Sequence, residues 1–306
     1  MKQLVSFLRL FRQAFATLKS NDPIRMAGAT AFFAFFALPP IVIIVSQVLS
    51  LLFNDYQQAV NGRLFQQLAE LLGTRSARQL QDISQHLEPQ KNDGWLMLVS
   101  IAILLIASTT LFDVMKNSLN QLWSIKIKAH STPLRFLRSR GIALAIIVAT
   151  GFLVTISIAV NRLAELPAAA SANMPVTASA LTGAVVRYLV SVFTLTCWFA
   201  LLFKYLPDLH IRWKAIWVGS FVTGVLFTIG EAVLTTLLTD QQMQAVHGRS
   251  GTITLVLLLV FYCSLIFYYG ASFTRQYALW AELAAVPTHN AVGYLITEVE
   301  SGSDPT

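Results

Sequence analysis

Five histidines, two cysteines and fifteen carboxylates are the side chains here that could bind a metal, attack a bond or carry a proton. Metal-assisted hydrolysis needs His and carboxylate ligands gathered around an ion that activates water. His86, His130, His210, His247 and His289 are scattered, with no two at ligand spacing. His86 with Glu88, and Asp208 with His210, form isolated couples that do not amount to a site. Cys197 and Cys263 lie inside apolar stretches, where a thiol behaves as a small hydrophobe. No Gly-rich loop precedes a Lys-Ser or Lys-Thr pair, so the usual phosphate cradle is missing. The residues therefore imply no enzyme, no metal and no cofactor.

The informative polar residues sit in apolar surroundings. Arg187 and Glu231 each interrupt a long apolar segment. A lone charge at a helix centre in lipid costs about 2.5–3.5 kcal/mol, so pairing or water access is expected. Counting from the segment ends near Leu181 and Leu238, the two charges lie roughly 10 Å below the same surface at 1.5 Å per residue. They are expected to meet as an intramembrane pair, structural or functional. Pro39 and Pro40 fall midway along another apolar window, where a proline removes a backbone donor and kinks or breaks a helix. Asp113, Lys116, Asn117 and Asn120 share one helix face by their three- and four-residue spacing. They read as a solvated helix end that positions a basic loop. The other reading is a lipid-headgroup site, in which Lys126, Lys128 and Arg135 each contribute about 1 kcal/mol of attraction to anionic lipid.

Composition says what must hold these residues. Of 306 residues, 55% are hydrophobic and 12% charged, and mean hydropathy is +0.61. A soluble domain carries about 25% charged residues, and a globule with half that would expose large apolar patches. Disorder is excluded because it needs little hydrophobicity and much net charge. Charge-free windows run over Met26–Asn54, Gly94–Phe112, Gly141–Asn161 and Ser250–Thr274, and each can supply a spanning helix of about 20 residues. The Arg187 and Glu231 segments, about Leu181–Phe203 and Ala215–Leu238, bring the count to six. Leu166–Val186 is charge-free but holds Pro167 and Pro175, and most of it reads as a loop. Ala27 with Ala31, Ala215 with Gly219, and Ser220 with Gly224 are small pairs four apart, which let helices approach closely in lipid.

Basic residues set the orientation. Fifteen of the 22 Lys and Arg fall in the first 25 residues, the connections after the second and fourth spans, and at Arg275. The positive-inside rule makes that side cytoplasmic, with both termini inside. The net charge of +7 is then a topology and headgroup signal, and no compact basic domain is present to bind nucleic acid. Residues 1–22 read as an amphipathic interfacial helix, with Leu4, Phe7, Leu8, Phe11, Phe15 and Leu18 at helical spacing and Asn21-Asp22-Pro23 ending it. Within the membrane domain of residues 23–285, residues 54–93 carry two apolar stripes separated by Gly73-Thr74. They are expected to form an extracytoplasmic helical hairpin. The last helix is expected to run on to about Ala285, and residues 286–306 to form a flexible cytoplasmic tail. The fold class is all-α, a polytopic membrane protein of six transmembrane helices.

Several short runs carry a resemblance. Ala27-Gly28-Ala29-Thr30-Ala31-Phe32-Phe33 leads to Pro39-Pro40. Leu111-Phe112-Asp113 is followed by Ser118-Leu119-Asn120-Gln121-Leu122-Trp123. Tyr205-Leu206-Pro207, Trp213, Gly219 and Tyr268-Tyr269-Gly270-Ala271 complete the series. Taken in order over residues 7–280, they resemble the YihY/BrkB membrane proteins. Ser272 departs from the pattern, since that family often has Glu after Gly-Ala. The resemblance implies a bacterial inner-membrane protein with six helices. Some members are linked to envelope integrity or lipopolysaccharide traffic, and many carry a ribonuclease BN label. The scattered histidines disfavour the ribonuclease. The expected function is handling or transport of a lipidic or anionic envelope component, and the alternative is a non-transporting scaffold for envelope partners. Membrane lipids, anionic ones included, are the expected partners, with a homo-oligomer left open.

Overall fold

Asn21-Asp22-Pro23 separates two helices in the computed structural model. It describes residues 2–52, 110–127, 141–142, 145–146, 148–153, 156, 176–238, 241–283, 285–288 and 291–294, with side chains described within 7–37, 110–126, 141–156, 188–231 and 257–294. Helix α1 spans Lys2–Lys19. Its last carbonyls are satisfied locally, because Ser20 Oγ and Asn21 Nδ2 both donate to the Thr17 carbonyl at 2.9 and 2.8 Å. Helix α2, Pro23–Leu52, starts on the proline, whose missing N–H would have been unsatisfied at a first helical position anyway.

α2 is one helix of 30 residues, so the expected break at Pro39 and Pro40 does not occur. Two prolines withdraw two amide donors from the ladder, and the turns on either side carry the helix across. In lipid the backbone has no other partner to turn to. Helix α3 covers residues 110–122 and leads to strand β1, Ile125–Ile127. Helix α4, Val176–Tyr205, begins directly after Pro175, earlier than the loop reading of 166–186 allows. Strand β2, Leu209–His210, links it to helix α5, Trp213–Leu238. Helix α6, Gln241–Trp280, is the longest of the described helices.

α6 stops at Trp280, not near Ala285. Glu282 takes a left-handed φ of 53°. The Leu283 N–H reaches the Ala278 carbonyl at 2.8 Å and the Glu282 N–H reaches the Leu279 carbonyl at 3.3 Å, which closes the helix as a Schellman motif. Strands β3, Val286–Pro287, and β4, Ala291–Gly293, follow. β3 pairs antiparallel with β2, Leu209 opposite Pro287, and β4 pairs antiparallel with β1, Ile125 opposite Gly293. Residues 286–287 and 291–293 of the segment expected to be a flexible tail are thus strapped across the end of the bundle. Residues 295–306 lie outside the described residues.

Among the described residues, three helices are long and apolar enough to cross a membrane: Tyr188–Tyr205, Trp213–Glu231 and Leu257–Trp280. The expected span at 94–112 up to residue 109, the outer hairpin at 54–93 and much of the span at 141–161 lie outside the described residues. α6 is the hub and packs against α1, α2 and α5, while α4 packs against α5. Small residues set the α5–α6 approach. A Cβ added at Gly219 would overlap the Thr274 side chain, and one at Gly270 would overlap Thr223. Gly224 likewise receives Thr196 of α4. Ala27, Ala31, Ala215 and Ser220 are all buried, so the small pairs do sit at contacts.

α1 settles on α5 and α6 by a face that takes in only part of the stripe singled out in the sequence. Leu10 and Ala14 are buried with Phe273, flanked by Phe7, Phe11, Val218 and Val222. Tyr269 Oη donates to the Phe11 carbonyl at 3.1 Å, Ser272 Oγ to the Ala14 carbonyl at 2.8 Å, and Gln276 Nε2 to Thr17 Oγ1 at 2.7 Å. Ser272, which departs from the resembled pattern, is a fully buried hydroxyl that holds α1 down. Leu8 and Phe15, members of the same periodic stripe, are each 60% exposed and share the outer face with Arg9 and Arg12.

Candidate functional site at the basic end of the bundle

Hydrogen bonds bring five separate stretches of chain to one end of the bundle. Asn21 and Arg25 meet Gln121, whose Oε1 accepts from Arg25 Nη2 at 3.0 Å and whose Nε2 donates to the Asn21 carbonyl at 3.4 Å. Arg275 Nη1 donates to the Leu122 carbonyl, joining the end of α6 to the end of α3. The Tyr294 N–H reaches the Ser124 carbonyl at 2.9 Å. Thr288 donates through both its N–H and its Oγ1 to the Asp208 carbonyl, each at 3.2 Å. The basic segments assigned to one side by charge thus converge at one end.

A clasp of Lys116, Asn120 and Asp208 lies at the centre of that end. Lys116 Nζ is 2.9 Å from Asp208 Oδ1, and the two side chains are 18% and 17% exposed. Asn120 Nδ2 donates to Asp208 Oδ2 at 3.1 Å, and the Asp208 N–H returns a bond to Asn120 Oδ1 at 2.9 Å. The sequence grouped Lys116 and Asn120 with Asp113 and Asn117 on one solvated helix end. In the fold Asn120 is buried and Lys116 turns to the α4–α5 turn, while Asp113 is half-buried and Asn117 exposed. The correction is physical: a buried amide and ammonium need a partner in low dielectric, and the nearest acceptor came from another helix pair.

A second polar knot lies deeper. Tyr268, fully buried, shares a 2.6 Å hydrogen bond with Thr30 Oγ1, which also donates to the Met26 carbonyl at 2.9 Å. Ser118 hydrogen-bonds the same phenol. Thr30, Ser118 and Tyr268 come from three different runs that carried the family resemblance, and Asp208 directly follows a fourth. Those runs therefore mark where α2, α3, α4 and α6 lock together. The sequence reading missed this coupling, although each residue lay inside or beside a run already singled out. Arg275, the cation that closes the Ser250–Thr274 window, was counted for topology alone.

The outward face of this end is basic and aromatic. Lys204 Nζ donates to the Ile211 carbonyl at 2.8 Å and lies 5.2 Å from the centre of the Trp213 ring. Trp213, Trp217, Tyr205 and Trp280 are exposed, as are His210, Arg212, Lys214 and Lys126. Amphipathic rings beside cations are the usual furnishing of a membrane–water interface. On the turns of α1 the exposed Leu8, Arg12, Phe15 and Lys19 fall in one row with the same character. Lys128 and Arg135, the other headgroup candidates, lie outside the described residues.

Glu231 is half-buried in α5. The side chain of Arg187, in α4, lies outside the described residues. Gly224 stands against Val192 and Thr196, and that antiparallel register carried along the two helices brings position 187 to the level of Glu231.

Residues 14–290 match the family model described as virulence factor BrkB. The chain is 20% identical over 268 residues to the UPF0761 membrane protein MS0032 of Mannheimia succiniciproducens, covering 87% of this chain and 88% of that one. It is 22% identical over 264 residues to the UPF0761 membrane protein NTHI0384 of Haemophilus influenzae, covering 85% and 90%. No solved structure matches it. With the family model spanning the clasp of Lys116, Asn120 and Asp208 and the knot of Thr30, Ser118 and Tyr268, and apolar helices long enough to cross a bilayer, this chain is an integral membrane protein that belongs to the BrkB virulence factor family.

Proposed function

We propose that this protein handles a lipidic or anionic envelope component at the bacterial inner membrane, working at the basic end of its bundle and without enzymatic chemistry. The observation that carries this reading is the outward face of that end. Exposed cations, Arg12, Lys19, Arg212 and Lys214, stand among exposed Phe15, Trp213 and Trp217. Such a surface attracts anionic headgroups by about 1 kcal/mol per near-surface charge while its rings sit among them. On this reading the basic end faces the cytoplasm, which puts both termini inside.

A scaffold that does not transport is the second reading, and the filled interior favours it. Phe199, Phe203, Tyr268 and Phe273 are almost fully buried between the described spans. In the headgroup test, detergent-solubilised protein is offered vesicles of phosphatidylcholine with and without phosphatidylglycerol. The anionic vesicles should capture more protein, and Arg12→Glu, Lys19→Glu, Lys126→Glu and Lys214→Glu together should remove the preference. Capture that is insensitive to the four reversals would sink the headgroup reading and leave the scaffold.

A further inference from the structure

A cavity of about 470 Å³ opens between β1, the α4–α5 turn and the last turns of α6. Its walls are mainly apolar, with Ile125, Leu209, Ala278, Leu283 and Pro287 among them. Pro287 and Gly293 belong to β3 and β4, so the C-terminal strap forms one wall. The strap is pinned on both sides by its pairing with β1 and β2. The volume falls within the 300–1,000 Å³ of small-molecule sites, and the lining has their usual character, apolar with a few placed polar groups.

One of those polar groups decides what the cavity can hold. Arg275 lines it, half-buried, with its guanidinium steadied by the Leu122 carbonyl. A guanidinium is always charged and offers five donors in a planar fork that matches carboxylate and phosphate oxygens. Glu282 lines the cavity too, but it is exposed at the turn that ends α6. Leu279 in the cavity wall is also exposed, as are Trp280, which ends α6, and Val286 and Val292 in β3 and β4. An exposed apolar side chain in the wall, Leu279, suits a site filled from the lipid surface better than one filled from water.

We infer that this cavity binds an anionic amphiphile, with its carboxylate or phosphate on Arg275 and an acyl chain along Leu209, Leu283 and Pro287 beneath the C-terminal strap. The inference rests on the lipid-handling reading and names its ligand. The same chemistry can come from a free single-chain acid or from one chain and the headgroup of a bilayer phospholipid.

The test uses full-length protein in nanodiscs of phosphatidylcholine and parinaric acid, a fluorescent fatty acid, as the probe. Wild type should bind it saturably, one per chain, and dodecanoate should displace it where dodecanol at equal concentration does not. Arg275→Gln should weaken binding about tenfold. Because that variant also loses the bond to Leu122, Gly293→Phe provides the decisive comparison. A Cβ there has open space, with the Ser124 carbonyl oxygen its nearest neighbour at 4.0 Å, and the ring would fill the cavity with Arg275 in place. Binding should fall at least tenfold in Gly293→Phe. Discs containing phosphatidylglycerol compete with the probe if the ligand is a bilayer lipid, and leave it unaffected if the ligand is a free acid. Undiminished binding in Gly293→Phe, or equal displacement by acid and alcohol, overturns the site. Gly293→Phe leaves the exposed cations intact, so its vesicle capture should remain normal, and loss of one activity without the other separates this site from the surface reading.

Discussion

Asp208 decides more of this end of the molecule than any other single side chain. Its carboxylate answers Lys116 and Asn120, its N–H answers Asn120, and its carbonyl receives Thr288. Asp208→Ala leaves a mostly buried ammonium and a buried amide without their acceptor, which costs about 3–5 kcal/mol. Thermal unfolding in detergent should show a clear drop for Asp208→Ala. The double variant Lys116→Met with Asp208→Leu should recover the part due to the ion pair, since apolar side chains of similar size replace a buried pair at little cost, while the Asn120 amide stays without its acceptor. A double variant no more stable than Asp208→Ala would mean that the clasp does not act as a coupled unit. Of this clasp, Lys116 and Asn120 were legible in the sequence as polar residues on one helix face. Their partner was not, because Asp208 lies 88 residues beyond Asn120 and helical spacing carries no information about a second helix.

Among the elements, the α5–α6 contact is the tightest and the most exposed to single changes. Gly270 faces Thr223 and Gly219 faces Thr274, so the two helices interlock reciprocally. Gly270→Ala forces the backbones apart and should cost about 1–3 kcal/mol. Gly28, in α2, meets nothing within 4 Å, and Gly28→Ala should stabilise by up to about 1 kcal/mol through helix propensity alone. Melting both variants beside wild type checks the contrast, and equal shifts of the same sign would refute the interlock. The small pairs were readable as contacts because small residues concentrate where helices touch in lipid. The face of α1 was not readable in that way. Both Leu10-Ala14 and Leu8-Phe15 fit helical spacing, and the groove of Val218, Val222 and Phe273 selects the first.

Across the whole molecule, the strap and the bundle end form one assembly. β1, β2, β3 and β4 join residues before α4, between α4 and α5, and after α6. Position 25 at the start of α2 and position 275 near the end of α6 both bond to the end of α3, so the two ends of the membrane domain share one side. On the positive-inside assignment of that side to the cytoplasm, a fluorescent protein fused at either terminus should mature and fluoresce, and alkaline phosphatase at either terminus should stay inactive. Opposite results at the two ends would require an odd number of spans.

Sequence by itself determined that this chain lives in a bilayer, where long apolar windows begin, and which segments share a side. Those properties depend on length, apolarity and charge count, which are local sums insensitive to how helices are arranged. It also located the runs at which the helices lock, without saying which run meets which. Tertiary structure decided the partners: Lys116 with Asp208, Tyr268 with Thr30, Ser272 with the Ala14 carbonyl. It also decided that residues 286–287 and 291–293, which read as part of a tail, find the free edges of β2 and β1 and close a cavity against Arg275. An unpaired strand edge and a buried cation are satisfied only by groups brought from elsewhere in the chain, and that supply exists only once the helices have packed.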